Sequence, residues 1–310
     1  KILKINSDHY DSIYYLALIA YESDDYNLAI DFFSKLLLLN SKDSEIYNYL
    51  GELYYTTDNL KLALYSYEES IKIDPYNSNI YYYLGIIYEQ LLVPNKAIKN
   101  YNQAIQLDNN NIDLIYRFGM ILYKEGQLKQ SIEYLRRYVS SNYDDIEVLE
   151  ILADILTQLD RFPESIDIYK KLIEFNNLNI SYYRNLAELY WNLEDYQNSQ
   201  FYYHILLNHD PVNGKTFYHL GYIANQNEEY ELAKNYLFSA YDCGYTSDDL
   251  YNQFATSYIK TRDYQNMIFI LNEGLNFNPN NQNIIYSLGL AYYQIGFYEK
   301  IIQLLKQYNL

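Results

Sequence analysis

The chain has 310 residues, of which 49% are hydrophobic and only 10 are glycine and 5 proline, so it can bury a long core and does not read as disordered. Its 23 basic and 40 acidic residues leave a net charge of -17, which repels phosphate backbones and anionic lipid and argues against nucleic-acid and membrane-surface roles. The sole thiol, Cys243, cannot form an internal disulfide, no apolar run reaches the ~18 residues of a membrane span, and a reducing, cytoplasmic setting is expected.

Taken in chain order, Lys1 to His9 reads as the end of a second helix from a preceding unit, with Ile2 and Ser7 in phase with the later units. From there a large apolar residue followed by a tiny one recurs every 34 residues: Leu16-Ala17, Leu50-Gly51, Leu84-Gly85, Phe118-Gly119, Leu152-Ala153, Leu186-Ala187, Leu220-Gly221, Phe254-Ala255 and Leu288-Gly289. Twelve positions after the tiny residue comes a second small one, Ala29, Ala63, Ala97, Ser131, Ser165, Ser199 and Ala233, until Met267 and Ile301 replace it in the last two units. Apolar residues recur at helical spacing on two segments of each unit, as in Ile46, Tyr47, Leu50, Leu53, Tyr54 and then Leu62, Ala63, Tyr67, Ile71. Each unit is therefore predicted to be helix, turn, helix. The division is 10–43, 44–77, 78–111, 112–145, 146–179, 180–213, 214–247, 248–281 and 282–310, forming one continuous array.

Two helices approach to about 8 Å only where neither presents a bulky side chain at the crossing. Five of the ten glycines stand at this one crossing position, although glycine inside a helix costs about 1 kcal/mol relative to alanine, so packing is expected to outweigh propensity there. The prolines keep the same phase. Pro75, Pro211 and Pro279 fall between units, and Pro94 and Pro163 fall between the two helices or in the first turn of the second. The 43 tyrosines accompany abundant Asn, Ile and Lys, a bias that an AT-rich coding sequence generates without selection for function.

In the second unit Tyr47, Leu50, Gly51, Tyr54, Ala63, Tyr67 and Pro75 form an ordered signature, with Ser70 at a further small position. The third repeats it through Tyr81, Leu84, Gly85, Tyr88, Ala97, Tyr101 and Ala104, with Asn109 in place of the proline. This pattern resembles the tetratricopeptide repeat. The resemblance implies an all-α fold, a right-handed α-solenoid of nine stacked helical hairpins whose concave wall is built from the first helix of each unit. It implies a non-enzymatic scaffold or adaptor that binds a protein or peptide segment in that groove. The family's groove-facing fifth position holds Tyr14, Asn48, Tyr82, Tyr116, Glu150, Arg184, Tyr218, Asn252 and Tyr286, and the twelfth includes Tyr21, Tyr55, Tyr123 and Trp191. Second positions add Asp11, Glu45, Asp113, Glu147 and Asp249 against a single basic Lys215, which gives a mildly acidic edge. A partner segment, extended or helical, with basic and apolar side chains suits such a groove. Tyr81, Tyr88, Tyr101, Tyr183, Tyr190 and Tyr203 occupy core places instead.

Two activities known in the family lack their residues here. A clamp for a terminal carboxylate needs Lys and Asn at the fifth and ninth places, and an asparagine ladder needs Asn at the sixth, where only Asn185 stands. His204 and His209 with Asp210 are five residues apart and fall on different helix faces, so no metal is expected. Cys243 precedes Gly244 at a helix end with no base evident nearby, and the acidic pairs Asp24-Asp25, Asp144-Asp145, Glu228-Glu229 and Asp248-Asp249 read as solvated turns. No phosphate loop or nucleophile motif occurs, and no cofactor is expected. The array begins within one unit and stops within another, which predicts a piece of a longer protein. Two alternatives stay open: a substrate-recruiting arm of a larger enzyme, such as a glycosyltransferase whose catalytic domain lies outside this chain, and end-to-end self-association.

Overall fold

Helix starts are written into the last residue of each unit. Asp43, Asn77, Asn111, Asn179, Asn213 and Asn281 each turn a side-chain oxygen onto a backbone N–H of the following helix's first turn, as Asn111 does to Leu114 at 3.0 Å. Such a cap satisfies donors that have no intrahelical partner. The second helices start less uniformly. Asp25, Asn59, Asp195 and Asp263 cap theirs, whereas Val93 and Arg161 make no capping bond and are followed by Pro94 and Pro163 in the first turn.

The computed structural model describes residues 9–308, so the reading of Lys1 to His9 lies almost wholly outside the described residues. Those residues form eighteen helices and no strand. In chain order they are α1 (Tyr10–Glu22), α2 (Tyr26–Leu39), α3 (Ser44–Thr56), α4 (Leu60–Ile73), α5 (Ser78–Gln90), α6 (Pro94–Leu107), α7 (Ile112–Lys124), α8 (Leu128–Ser141) and α9 (Ile146–Gln158). They continue as α10 (Phe162–Phe175), α11 (Ile180–Asn192), α12 (Tyr196–His209), α13 (Gly214–Gln226), α14 (Tyr230–Asp242), α15 (Asp248–Thr261), α16 (Tyr264–Phe277), α17 (Gln282–Gln294) and α18 (Tyr298–Tyr308). The protein is an all-α repeat of the solenoid class. It divides into two units, Lys1–Val148 and Leu149–Leu310, within each of which consecutive helices pack as hairpins and each hairpin packs on the next.

The turn between the paired helices places one residue in the left-handed region at a constant phase: Asp24, Asp58, Leu92, Gly126, Asp160, Glu194, Glu228, Arg262 and Gly296 all have φ between 56° and 72° or, for Gly296, 79°. Only two of these nine are glycine and three are aspartate, which tolerates this region; at Leu92, Glu194, Glu228 and Arg262 the conformation is held against the usual preference, with backbone bonds such as Leu92 N–H to Glu89 O closing the turn.

At the crossing the tiny and small residues meet as anticipated. Ala17, Ala153, Ala187, Ala29, Ala63, Ala97 and Ala233 are wholly buried. A Cβ on Gly85 would stand 2.3 Å from the Tyr101 ring, and one on Gly51 would stand 2.6 Å from the Tyr67 ring. Where serine replaces alanine at the second small place, its buried hydroxyl donates to the carbonyl oxygen of the tiny residue across the crossing: Ser131 to Gly119 at 2.8 Å, Ser165 to Ala153 at 2.9 Å and Ser199 to Ala187 at 3.0 Å. A buried hydroxyl without such a partner would be destabilising. Of the tyrosines assigned to the core, Tyr101, Tyr203, Tyr88 and Tyr190 are buried, and Tyr81 and Tyr183 are half-buried.

Candidate functional site

In Lys1–Val148 the first helices carry a repeated bond between hairpins. The Tyr14 hydroxyl donates to Glu45 Oε1 at 2.9 Å, and the Tyr82 hydroxyl donates to Asp113 Oδ2, each spanning 31 residues from a fifth place to the next second place. Two helical turns further along, Tyr21 donates to Glu52 at 2.6 Å. Burial and the carboxylate each donates to push the Tyr14 and Tyr21 hydroxyls well above the ordinary phenol range, so they remain donors. The acids also hold the local cations: Arg117 lies 3.2 Å from Asp113 and 3.9 Å from Glu89, and Lys124 lies 3.9 Å from Glu89. The tyrosines and the acidic edge were read from the sequence separately. They are bonded to one another here, which fixes the positions of the Tyr14, Tyr21 and Tyr82 rings and partners these acids within the chain.

The remaining expected residues of this unit behave differently from one another. Tyr55 is half-buried with its ring 5.6 Å from Tyr83, and its hydroxyl accepts from Gln90. Tyr116 packs on Tyr138 at 4.9 Å and makes no bond of the Tyr14 kind, although Glu147 stands 31 residues on. Tyr123 and Asn48 are half-buried.

In Leu149–Leu310 the aromatic side chains gather around Trp191. Its ring lies 5.5 Å from Tyr196, 4.8 Å from Tyr222 and 4.3 Å from His219, all edge-on. Beside this cluster is an open cavity of about 390 Å³ lined by Trp191, Asn192, Glu194, Tyr196, Tyr218, Tyr222, Asp249 and Gln253. It contains two carboxylates and no basic side chain. The Tyr196 and Tyr222 rings lie 5.9 Å apart, and burial, together with the neighbouring Tyr222 hydroxyl, pushes Tyr196 up to about 12.

Tyr218 requires a correction. The sequence places it on the groove as an open anchor; it does border the Trp191 cavity, but it is only 7% exposed, its ring stacked on Tyr245 at 5.1 Å. The cause is the turn after α14: Gly244, at φ 79°, folds the chain back so that Tyr245 covers Tyr218. Of the other expected residues, Arg184 is exposed, Asn252 is half-buried and Tyr286 is 76% exposed, well apart in sequence from the Trp191 cluster. Asp248 and Asp249, read as turn residues, form the first turn of α15, where the positive end of the helix dipole favours them.

Sequence reasoning missed Tyr196 and His219. Tyr196 opens a second helix, outside the family's groove positions, and His219 stands at a sixth place inspected only for asparagine. His219 is 8% exposed, and neither ring nitrogen has a hydrogen-bond partner among the described residues. It stacks on Tyr203 at 4.8 Å, and burial, with the nearby Lys215 charge, lowers its pKa from 6.5 to about 4. The ring is neutral at pH 7. Among the described residues no cluster of three His, Cys, Asp or Glu side chains could hold a metal ion, and no helix is long and apolar enough to cross a membrane.

Stacked helical hairpins with a constant crossing and a side-chain-lined inner face define a repeat scaffold of a kind that is generally non-catalytic and binds proteins. Comparison with known proteins agrees: models of the tetratricopeptide repeat match residues 14–78, 66–98 and 248–281, and the chain belongs to the tetratricopeptide-repeat family. A further model, described as N-terminal acetyltransferase A, auxiliary subunit, matches residues 113–241. Among solved structures the chain is similar to YrrB, a TPR protein with an unusual peptide-binding site, with 19% identity over 59% of this chain and 94% of that one and a TM-score of 0.50. It is also similar to MamA (20% identity, 53% of this chain and 90% of that one, TM-score 0.47). A third similar structure is a tetratricopeptide repeat protein from Parabacteroides merdae ATCC 43184 (16% identity, 80% and 98%, TM-score 0.46). Identities this low speak to the fold alone. No curated protein matches the chain.

Proposed function

We propose that the protein is an adaptor whose first-helix faces bind a segment of a partner protein, extended or helical, through aromatic anchors on an acidic background. The observation that carries this reading is the set of bonds from Tyr14, Tyr21 and Tyr82 to the next hairpin, which hold aromatic rings in place before any partner arrives. Rings fixed in advance lose little conformational entropy on binding, which favours affinity. The similar YrrB is described as having a peptide-binding site, in keeping with this use of the fold.

The test is replacement of Tyr82, Tyr116 and Trp191 together by alanine. Retention of crosslinked partner segments on the first helices should fall by at least about ten-fold, the loss of one to two anchors, while far-UV circular dichroism is unchanged. Undiminished retention would show that these faces are not the binding surface.

The match over residues 113–241 to an acetyltransferase auxiliary subunit favours a second reading, in which the partner is the catalytic subunit of a larger enzyme and this chain supplies no chemistry. Acetyl transfer to N-terminal peptides should then copurify with the chain and disappear when the partner is stripped at high salt. Transfer activity that never accompanies the chain removes this reading.

A further inference from the structure

The cavity beside Trp191 sets two acids, Glu194 and Asp249, against an aromatic cluster, and neither carboxylate has a hydrogen bond or ion pair among the described residues. In Lys1–Val148 the fifth-place Tyr14 and Tyr82 each donate to the acid 31 residues ahead, while Tyr116 does not reach Glu147. The equivalent pair in Leu149–Leu310 is Tyr218 and Asp249, and no hydrogen bond joins them, because Tyr218 is packed under Tyr245. Asp249 is therefore left exposed with neither a tyrosine donor nor a basic partner among the described residues, and the same is true of the Glu194 carboxylate across the cavity. Lys215, the basic residue at the second place of α13, is already held by Glu188 at 2.8 Å.

The rest of the lining is electron-rich. Trp191, Tyr196 and Tyr222 lie within 5.9 Å of one another, with planes inclined at 56° to 65°. Behind the indole His219 packs at 4.3 Å as a buried, neutral ring, so it adds no repelling charge. Aromatic faces attract a cation through their quadrupole, and two unpaired carboxylates add charge complementarity.

We infer that this cavity is a recognition site for a guanidinium group, the side chain of an arginine in the bound partner segment. A planar guanidinium stacks on an indole and presents several fixed donors to carboxylates, whereas an ammonium is a compact, more strongly hydrated charge, so arginine is favoured over lysine. The assignment rests on the groove reading proposed above and names the partner chemistry for one part of it.

The chain contains a single tryptophan, which makes Trp191 fluorescence a direct reporter of the cavity. Titration of the intact chain with N-acetyl-arginine N-methylamide at constant ionic strength should give a saturable change. The lysine analogue should bind about five-fold more weakly, and the citrulline analogue, the same shape without charge, should give no saturable change. The Asp249→Asn, Glu194→Gln double variant should weaken arginine about ten-fold. Equal responses to arginine and citrulline, or arginine binding undiminished in the double variant, overturn the site, and lysine equal to arginine overturns the guanidinium assignment. The arginine and citrulline comparison uses the unaltered chain, so it holds whether or not the variant folds. If the titration fails while the Tyr82, Tyr116, Trp191 variant still loses its partner, only the guanidinium site falls. If arginine saturates while that variant retains its partner, only the groove reading falls.

Discussion

The same repeat position does different work in the two units. In Lys1–Val148 the acids Glu45 and Asp113 accept from Tyr14 and Tyr82 of the preceding hairpin, and Asp113 also holds Arg117, so these two acids have partners, whereas Tyr116 and Glu147 are not joined. In Leu149–Leu310 the corresponding Asp249 lacks its tyrosine, Glu194 is unpaired and the buried His219 has no partner for either nitrogen among the described residues. The comparison teaches that a repeat can keep its period and its packing while its side-chain hydrogen bonding changes at particular positions, and that ligand chemistry is to be sought where the internal bonds are missing.

The largest expected effect tests the unsatisfied side of this contrast. His219 has a folded pKa of about 4 against 6.5 unfolded, so between those values the unfolded chain takes up a proton that the folded chain refuses, and stability falls as pH falls. At about 1.4 kcal/mol per pH unit, the loss approaches ~3 kcal/mol by pH 4. Urea unfolding followed by Trp191 fluorescence should show this slope, and His219→Phe, which keeps the ring against Tyr203, should flatten it. An unchanged slope in the variant would place the titration elsewhere.

Next in size is the crossing. Gly85→Ala forces a Cβ into the wholly buried Tyr101 ring and should destabilise by about 2 kcal/mol, the usual penalty of overpacking. Gly289, whose nearest neighbour to an added Cβ is Leu304 at 3.8 Å, should accept alanine and gain up to about 1 kcal/mol from helix propensity. Thermal or urea unfolding that moved both variants the same way would break the distinction between a tight and a loose crossing.

The hydrogen-bond contrast itself predicts a smaller difference. Tyr82→Phe removes the donor to Asp113 and should lower stability by about 0.5–1 kcal/mol, while Tyr218→Phe, which has no bond to Asp249 to lose, should be near neutral. Equal urea midpoints for the two variants would show that the Tyr82 bond contributes nothing. Smallest is the turn: Leu92 holds φ 58° and is 87% exposed, and Leu92→Gly should stabilise by roughly 0.5 kcal/mol, raising the melting temperature slightly, as left-handed strain is relieved. A drop in melting temperature would mean that the Leu92 side chain has a packing role.

Much of the fold was legible because its causes are local. Leu84-Gly85 and Ala97 announce a crossing by volume alone, and Tyr101 and Tyr203 follow from their helical phase. The candidate site was legible only in part. Trp191 and Asp249 were visible as a groove aromatic and an edge acid, but Tyr196 lies outside the groove positions, and the groove positions alone do not distinguish Tyr218 from Tyr82, since both stand at a fifth place with an acid 31 residues ahead. The difference arises from Gly244, which turns Tyr245 over one ring and has no counterpart beside the other.

By itself the sequence determined the 34-residue period, the helical pairs and the small residues at which they cross, since these depend on propensity, capping and side-chain volume that each unit carries within itself. Tertiary structure alone decided which serines reach a carbonyl, which turn residues are forced into the left-handed region, and which tyrosine hydroxyls meet an acid. Those outcomes depend on the angle at which one hairpin lies on the next, a quantity set by the sum of many packed contacts and encoded in no single residue.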